Sequence, residues 1–488
     1  MFGEGGCVQA RVKGVLTIDD FRNIGEVVVG SRQGVLPQPP GEIASPVVVI
    51  DSREVRGGEI FIALRGENAD GHSFIGTVFE MGACWAMVCR DWYEAQGSVE
   101  PPPSKGFIVT DDTVAGLQQL SMVYRSKFSV PVVAIGGSNG KTTTKEMVAS
   151  VLGRGFKVQM SQGNRNNHLG VPLTLLQLHT DTDIAVVEMG INHPGEMALL
   201  ASIARPTHAL LTNIGHEHLE FFLDLDGVAK AEIQLFDYLH QHGGTAFINT
   251  DDPWLSAEAA GLGHYVGYGV GKRPENSFWA REISVNRDGT LSFLLCSLSG
   301  TEPVSLNFTG KHNVVNAIAA AAVGDYFGLS LSQIREGLEL LVPAPGWKRL
   351  EVVDSCGLRI LNDTYNANSD SVRRAIDTLC DMPCDGKRVA VLGDMLELGV
   401  AGEVEHEAIG RYIQKSSVDM LFTFGEKARI IGLEVPGRWQ GHFGSREELL
   451  AALLGVSEEG DILLFKGSRG MKLEQVVDAL VNARTKTR

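Results

Sequence analysis

Short apolar runs rich in β-branched residues alternate with stretches of helical periodicity along most of the chain. In the first part, Val47 to Ile50, Glu59 to Leu64, Ala83 to Val88 and Phe107 to Thr110 read as strands. Asp112 to Lys127 follows as a helix. Then Val130 to Ile135, Ile184 to Val187, Ala209 to Ile214 and Thr245 to Ile248 read as buried strands separated by helical patterns. That alternation predicts a doubly wound sheet. Ser277 to Phe308 differs, because alternating segments flank the turn Arg287-Asp288-Gly289-Thr290, which predicts a hairpin added to that sheet. Lys311-His312-Asn313-Val314-Val315-Asn316 opens an alanine-rich helix. After the linker Pro343-Ala344-Pro345-Gly346, Leu358 to Leu361, Arg388 to Leu392, Met420 to Phe424 and Asp461 to Phe465 predict a second parallel sheet. The expected fold class is α/β with three domains. An N-terminal α/β domain spans 1–129, a central doubly wound domain 130–342, and a Rossmann-like C-terminal domain 343–488.

Composition narrows the class. The chain has 488 residues, 44% of them hydrophobic and 21% charged, and a formal net charge of −16. Its pI is near 5.3. That balance argues against general affinity for nucleic acid or an acidic membrane. No uncharged apolar run reaches the roughly 18 residues of a membrane span, and Met1 to Gly14 lacks the apolar core of a signal peptide. Seven cysteines are scattered without paired metal-type spacing, and Cys380 and Cys384 have no second pair, so reduced thiols are expected. The localisation these features predict is cytoplasmic.

The stretch that organises the rest is Val130 to Glu146, VPVVAIGGSNGKTTTKE. A strand breaks into Gly136-Gly137-Ser138-Asn139-Gly140, and Lys141-Thr142-Thr143-Thr144 opens a helix. Glycines let successive N–H groups converge on one anion, the helix N-terminus adds partial positive charge, and Lys141 adds a full one. The Thr142 hydroxyl suits Mg²⁺. Ile135 stands where the strict phosphate-loop pattern has its first glycine. The loop nevertheless predicts a nucleoside triphosphate site, so the central domain is read as a P-loop ATPase.

Other polar groups gather at strand ends. Glu188 closes a buried strand, where structure alone prefers an apolar residue, and is a candidate Mg²⁺ ligand. His218 is a second candidate, with His216 competing for the role, although imidazole is a soft ligand for this ion. Asp51-Ser52-Arg53 suits an anionic or sugar-bearing ligand, and equally an ordinary turn with a solvated ion pair. Gly163-Asn164-Arg165-Asn166-Asn167-His168-Leu169-Gly170 suits a substrate cleft or a self-contained asparagine turn. In the last domain Lys348-Arg349, Asn362 to Asn368 and Lys466-Gly467-Ser468-Arg469-Gly470 flank strands. There Arg349 is expected to face a triphosphate, and Asp363 a ribose or a basic residue.

Taken together these motifs resemble the Mur ligase family over nearly the whole chain. The resemblance rests on Asp51 to His72, GGSNGKTT, QGNRNNHLGVPLTLL, EMG, NIG…HLE, HNVVNA, NDTYNAN, GDMLELG and FKGSRG. Gly57-Gly58, Asn362 and the spaced Gly346-Trp347-Lys348-Arg349 depart from the family's commoner forms. The resemblance implies ATP-dependent amide formation between UDP-N-acetylmuramoyl-tripeptide and D-alanyl-D-alanine in peptidoglycan synthesis, through an acyl phosphate; a monomer is expected. A folylpolyglutamate-synthetase-like ligase is the alternative, disfavoured by the first-domain block and KGSR. By the same resemblance, Gly137, Ser138, Asn139, Gly140, Lys141, Thr142 and Thr143 hold phosphates, and Glu188 and His218 serve Mg²⁺. Asn313 and Asn316 contact adenine, while Arg349 and Asp363 close over the nucleotide. Ser52 and Arg53 lie near the uridine, with Asn166, Asn167 and His168 near the substrate. Lys230 lies nearly opposite the helical stripe of Val228, Ala231, Leu235 and Leu239 and reads as solvated. The resemblance instead implies that it is carbamylated and orients a second Mg²⁺ with His218, so Lys141, Lys230 and His218 are the expected catalytic set.

Overall fold

The computed structural model describes residues 15–30, 43–44 and 46–486. Met1 to Gly14, expected to lack a signal peptide, lies outside them. Three large sheets carry the fold. The first has five strands in the order Glu26–Val29, Gly106–Thr110, Trp85–Cys89, Ile60–Ile62, Val48–Val49. The second has nine: Thr301–Leu306, Leu291–Ser297, Asn276–Val285, Tyr265–Tyr268, Thr245–Asn249, His208–Leu211, Val132–Gly136, Ile184–Glu188 and Val158–Met160. The third has six: Glu351–Ser355, Leu358–Asp363, Ile462–Lys466, Arg388–Gly393, Met420–Phe424 and Trp439–Phe443. Mixed α/β architecture is thus as the periodicity predicts, with strand ends shifted by up to three residues. Packing divides the chain into two units.

The first unit comprises Met1–Ala134, Phe156–Gly190 and Glu196–His208. Its five-stranded sheet is parallel except for Glu26–Val29, which runs antiparallel to Gly106–Thr110. Val49, Phe61, Ala86, Val88, Phe107 and Val109 form its buried core. The helix Thr113–Ser126 starts where predicted because the Asp112 carboxylate accepts the Val114 and Ala115 N–H groups. At its far end the Tyr124 hydroxyl donates to the Leu178 carbonyl at 2.7 Å, and the buried Arg125 donates to the Ala204 carbonyl at 3.1 Å.

The second unit comprises Ile135–Gly155, Ile191–Gly195 and Ala209–Arg488. The predicted hairpin is present and extended, as Asn276–Val285, Leu291–Ser297 and Thr301–Leu306 pair antiparallel in sequence. The six-stranded sheet is parallel apart from its edge strand Glu351–Ser355. Hydrogen bonds tie the two sheet systems together. Arg359 Nη1 donates to the Arg287 carbonyl at 2.7 Å, and Lys311 Nζ pairs with Asp381 at 3.0 Å. Among the described residues no helix is long and apolar enough to cross a membrane. The six described cysteines are free thiols.

Candidate active site

All five residues of the strand Val132–Gly136 are buried, so the chain leaves a rigid core just before the loop. Gly137 and Gly140 have φ of +102° and +87°, where a side chain is strained. A Cβ on Gly137 would also lie 2.5 Å from Thr212 Oγ1, and one on Gly140 would meet the Asn316 amide at 3.1 Å. The loop is clamped from the segment after His208–Leu211. Ser138 N–H donates to the Asn213 carbonyl at 2.8 Å, and Asn213 Nδ2 donates to the Asn139 carbonyl at 2.8 Å. Gly215 N–H donates to Ser138 Oγ at 2.8 Å. Gly140 is the N-cap of helix Lys141–Leu152 and provides no side-chain cap. The first-turn amides therefore stand at an anion-binding end. Thr142 and Thr143 are buried in that turn.

Lys141 Nζ lies in a carbonyl and carboxylate cradle, 2.5 Å from the Gly137 oxygen, 3.2 Å from that of Ser138 and 3.4 Å from Glu217 Oε2. A second acid approaches from helix Leu225–His242, where Glu232 Oε2 accepts the Gly137 N–H at 2.9 Å. Both carboxylates are buried, Glu232 completely. Burial raises both above the usual carboxylate range, Glu232 to about 8, against the opposing pull of Lys141; Glu217 adds to the rise at Glu232.

Lys230 lies on the helix Leu225–His242. It is exposed, and Glu232, about 200° further round the same helix, is the residue that reaches the loop. The metal and catalytic role expected of Lys230 belongs with the proposals below. Glu232 had a visible signal. Together with Val228, Leu235 and Leu239 it falls on the buried stripe, where a charge needs a reason.

His218 has a carboxylate partner. Its Nδ1 lies 2.9 Å from Glu397 Oε2, and the hydrogen bond from His218 holds the Glu397 carboxyl below its ordinary range. The competing His216 binds Asp370. Asn316 stands against the loop and donates to Asn313 Oδ1 at 2.9 Å, while Asn313 donates to the Thr309 carbonyl at 2.8 Å. Asp363 has both oxygens occupied, one by Lys466 Nζ at 2.6 Å and the other by the Leu350 N–H at 3.2 Å. Of its two expected partners it takes the basic residue rather than a ribose. The Arg349 guanidinium lies 4.0 Å from the Tyr365 ring centroid and 5.7 Å from that of Trp347, within cation–π range of both.

In the first unit, Glu188 ends its strand as predicted and is buried. Its N–H donates to Ser161 Oγ at 3.0 Å, and its Oε1 accepts Asn166 Nδ2 at 2.9 Å. Asn167 Oδ1 accepts the Leu169 and Gly170 N–H groups, and His168 is exposed. Asn166 thus joins Glu188, whereas Asn167 shapes its own turn. Ser52 lies in a short 3₁₀ turn, Ser52–Glu54, whose N-cap is Asp51. The Arg53 guanidinium pairs back to that carboxylate at 2.5 Å on the surface. His72 Nε2 accepts the Cys89 N–H at 2.9 Å, with Asp70 on its other nitrogen at 2.6 Å, so this histidine fastens a loop to a strand end.

A phosphate loop opening a helix, acids at its rim and a second α/β sheet contacting it define a phosphate-loop enzyme built from several α/β layers. Family models identify which. The Mur ligase middle domain matches residues 135–324, the Mur ligase glutamate ligase domain 348–469, and the Mur ligase family catalytic domain 47–103. The chain belongs to the Mur ligase family. It is 36% identical to the UDP-N-acetylmuramoyl-tripeptide–D-alanyl-D-alanine ligase of Bacillus subtilis (strain 168), over 95% of this chain and 98% of that one. It is 35% identical to the Escherichia coli (strain K12) enzyme of the same name, over 93% and 96%. The crystal structure of MurF from Acinetobacter baumannii superposes with a TM-score of 0.83 at 30% identity, covering 96% of this chain and 99% of that one. MurF ligase from Thermotoga maritima in complex with ADP gives a TM-score of 0.79 at 27% identity, over 91% and 99%.

Proposed function

We propose that this ligase joins D-alanyl-D-alanine to UDP-N-acetylmuramoyl-tripeptide at the expense of ATP, making the pentapeptide precursor of peptidoglycan. Full-length similarity to ligases of that name carries the reading, and the loop geometry supports it. A carboxylate is a poor electrophile because its leaving group would be oxide. Phosphoryl transfer from ATP converts it to an acyl phosphate, and the dipeptide amine then displaces phosphate. In this scheme the loop amides and Lys141 neutralise charge on the phosphoryl oxygens during the first step. Mg²⁺ supplies further charge neutralisation when bound; Thr142 and Glu188 are proposed oxygen donors for it, their hard chemistry fitting that ion, with His218 and a carbamylated Lys230 proposed beside them. Asn313 and Asn316 are proposed for the nucleotide, and Arg349 for its phosphates. Ser52 and Arg53 are proposed for the uridine end, with Asn166 and His168 for the peptide.

The proposed domains are 1–129, 130–342 and 343–488, and one family model lies inside each. The enzyme is proposed to act as a cytoplasmic monomer. The test supplies ATP, D-alanyl-D-alanine and a UDP-tripeptide ending in either diaminopimelate or lysine. Mass spectrometry should find UDP-pentapeptide equimolar with ADP for one of them. ATP hydrolysis without amide product would overturn the proposal.

A further inference from the structure

We propose that Arg469, with Leu396 beside it, holds the carboxylate end of the incoming dipeptide, D-alanyl-D-alanine. The inference rests on the reading of this chain as a ligase of that dipeptide. Three neighbouring parallel strands of the six-stranded sheet, Leu358–Asp363, Ile462–Lys466 and Arg388–Gly393, end at one edge. The segments that leave them carry Tyr365, Arg469 and Leu396. Ligands of open α/β sheets bind outside such carboxyl ends. Asn368, three residues beyond Tyr365, donates to Asn139 Oδ1 at 3.1 Å, so this edge borders the phosphate loop.

Four basic side chains gather here, and two are already neutralised, Lys466 by Asp363 at 2.6 Å and Lys348 by Glu474 at 3.4 Å. The guanidinium groups of Arg349 and Arg469 have no hydrogen-bond or ion-pair partner among the described residues. Both stand over the Tyr365 ring, 4.0 and 5.7 Å from its centroid. Two unpaired cations at one ring repel each other, and an anion at each offsets that cost. Arg349 is proposed for the phosphates, which leaves Arg469 for a second anion. Leu396 is 43% exposed, and its N–H donates to Oγ of Ser468, the residue before Arg469, at 2.8 Å. A Cβ on Gly470, the residue after Arg469, would lie 3.2 Å from Leu396 Cδ1. An exposed apolar side chain thus adjoins a cation. D-Alanyl-D-alanine has the matching chemistry, small methyl groups and one carboxylate. Bound triphosphate repels that carboxylate unless it has a cation of its own. Fully extended, two residues span about 7 Å, so the group that holds the carboxylate also sets where the attacking amine lies.

The experiment uses the full chain with saturating ATP and the UDP-tripeptide that wild type accepts. Two acceptors are compared, D-alanyl-D-alanine and its C-terminal carboxamide, with initial rates of ligated product read by mass spectrometry. Wild type should favour the acid by about tenfold or more in KM. Arg469→Gln should raise KM for the acid by that factor, leave KM for ATP unchanged and abolish the preference over the amide. Arg469→Lys should show a preference between the two, and decides the matter if the glutamine variant is inactive. An arginine that only packs on Tyr365 would not move this ratio. A variant that keeps the wild-type preference would overturn this inference alone, as would a wild type that uses acid and amide equally well. A wild type that ligates neither would overturn the ligase reading and this inference with it.

Discussion

One Asp370 oxygen accepts two bonds from His216, the backbone N–H at 2.8 Å and the imidazole Nδ1 at 3.1 Å. His216 follows the loop-clamping segment, and Asp370 opens the helix Ser369–Asp381 of the six-stranded sheet. The hydrogen bond to Asp370 raises the His216 pKa, so the histidine is held toward its cationic form. Asp370→Ala removes both bonds. We expect the tie between the two sheet systems to weaken by about 1–3 kcal/mol. Hydrogen exchange at the Gly215 and His216 amides should accelerate while the core strands keep their protection.

Lys141→Ala should lower kcat by at least about 10²–10³-fold and leave a folded protein. The ammonium is held by two loop carbonyls and Glu217. Steady-state kinetics, with circular dichroism as the control for folding, decide this. Wild-type kcat in the variant would refute the phosphate assignment.

If the acyl phosphate forms, one oxygen of the tripeptide carboxylate must leave with phosphate. Oxygen-18 placed in that carboxylate should appear in the inorganic phosphate released on ligation, read by the isotope shift in ³¹P NMR. Unlabelled phosphate would exclude the intermediate.

His406 gives the C-terminal sheet an acid-sensitive joint. Fully buried, its Nε2 accepts the Met395 N–H at 3.1 Å while its Nδ1 faces the Gly402 carbonyl at 2.6 Å, so the neutral ring serves as acceptor and donor at once. Burial holds its pKa below the ordinary 6.5. The unfolded chain therefore takes up a proton that the folded chain refuses. Stability from this residue is complete above 6.5 and declines as pH falls toward the lower folded value. The urea midpoint should drop between about pH 7.5 and 5.5, and His406→Asn should flatten that drop.

What could be read from sequence follows physical lines. The strand Val132–Gly136 and its loop were legible because an apolar run, glycines and GKT coincide within a few residues. Edge strands such as Glu351–Ser355 and Trp439–Phe443 were not, since half-exposed strands mix polar and apolar residues and lose the signal. The site divides the same way. Lys141 and Glu188 announce themselves at strand ends. Glu217 is hidden among the charges of HEHLE, whereas Glu232 is marked by its place on the apolar stripe of its helix. The partner of Asp363 is Lys466, far along the chain, and only folding reveals it.

Asn368 performs two tasks at once. Its Oδ1 accepts the Ser371 N–H to start a helix of the six-stranded sheet, and its Nδ2 donates to Asn139 Oδ1 in the phosphate loop at 3.1 Å. A single amide therefore reports the state of one layer to the other. Any occupant that tightens the loop in this geometry also favours the docked helix. By linkage, a ligand that favours the docked helix must strengthen the loop's grip by the same factor. Message and reply travel through the same side chain.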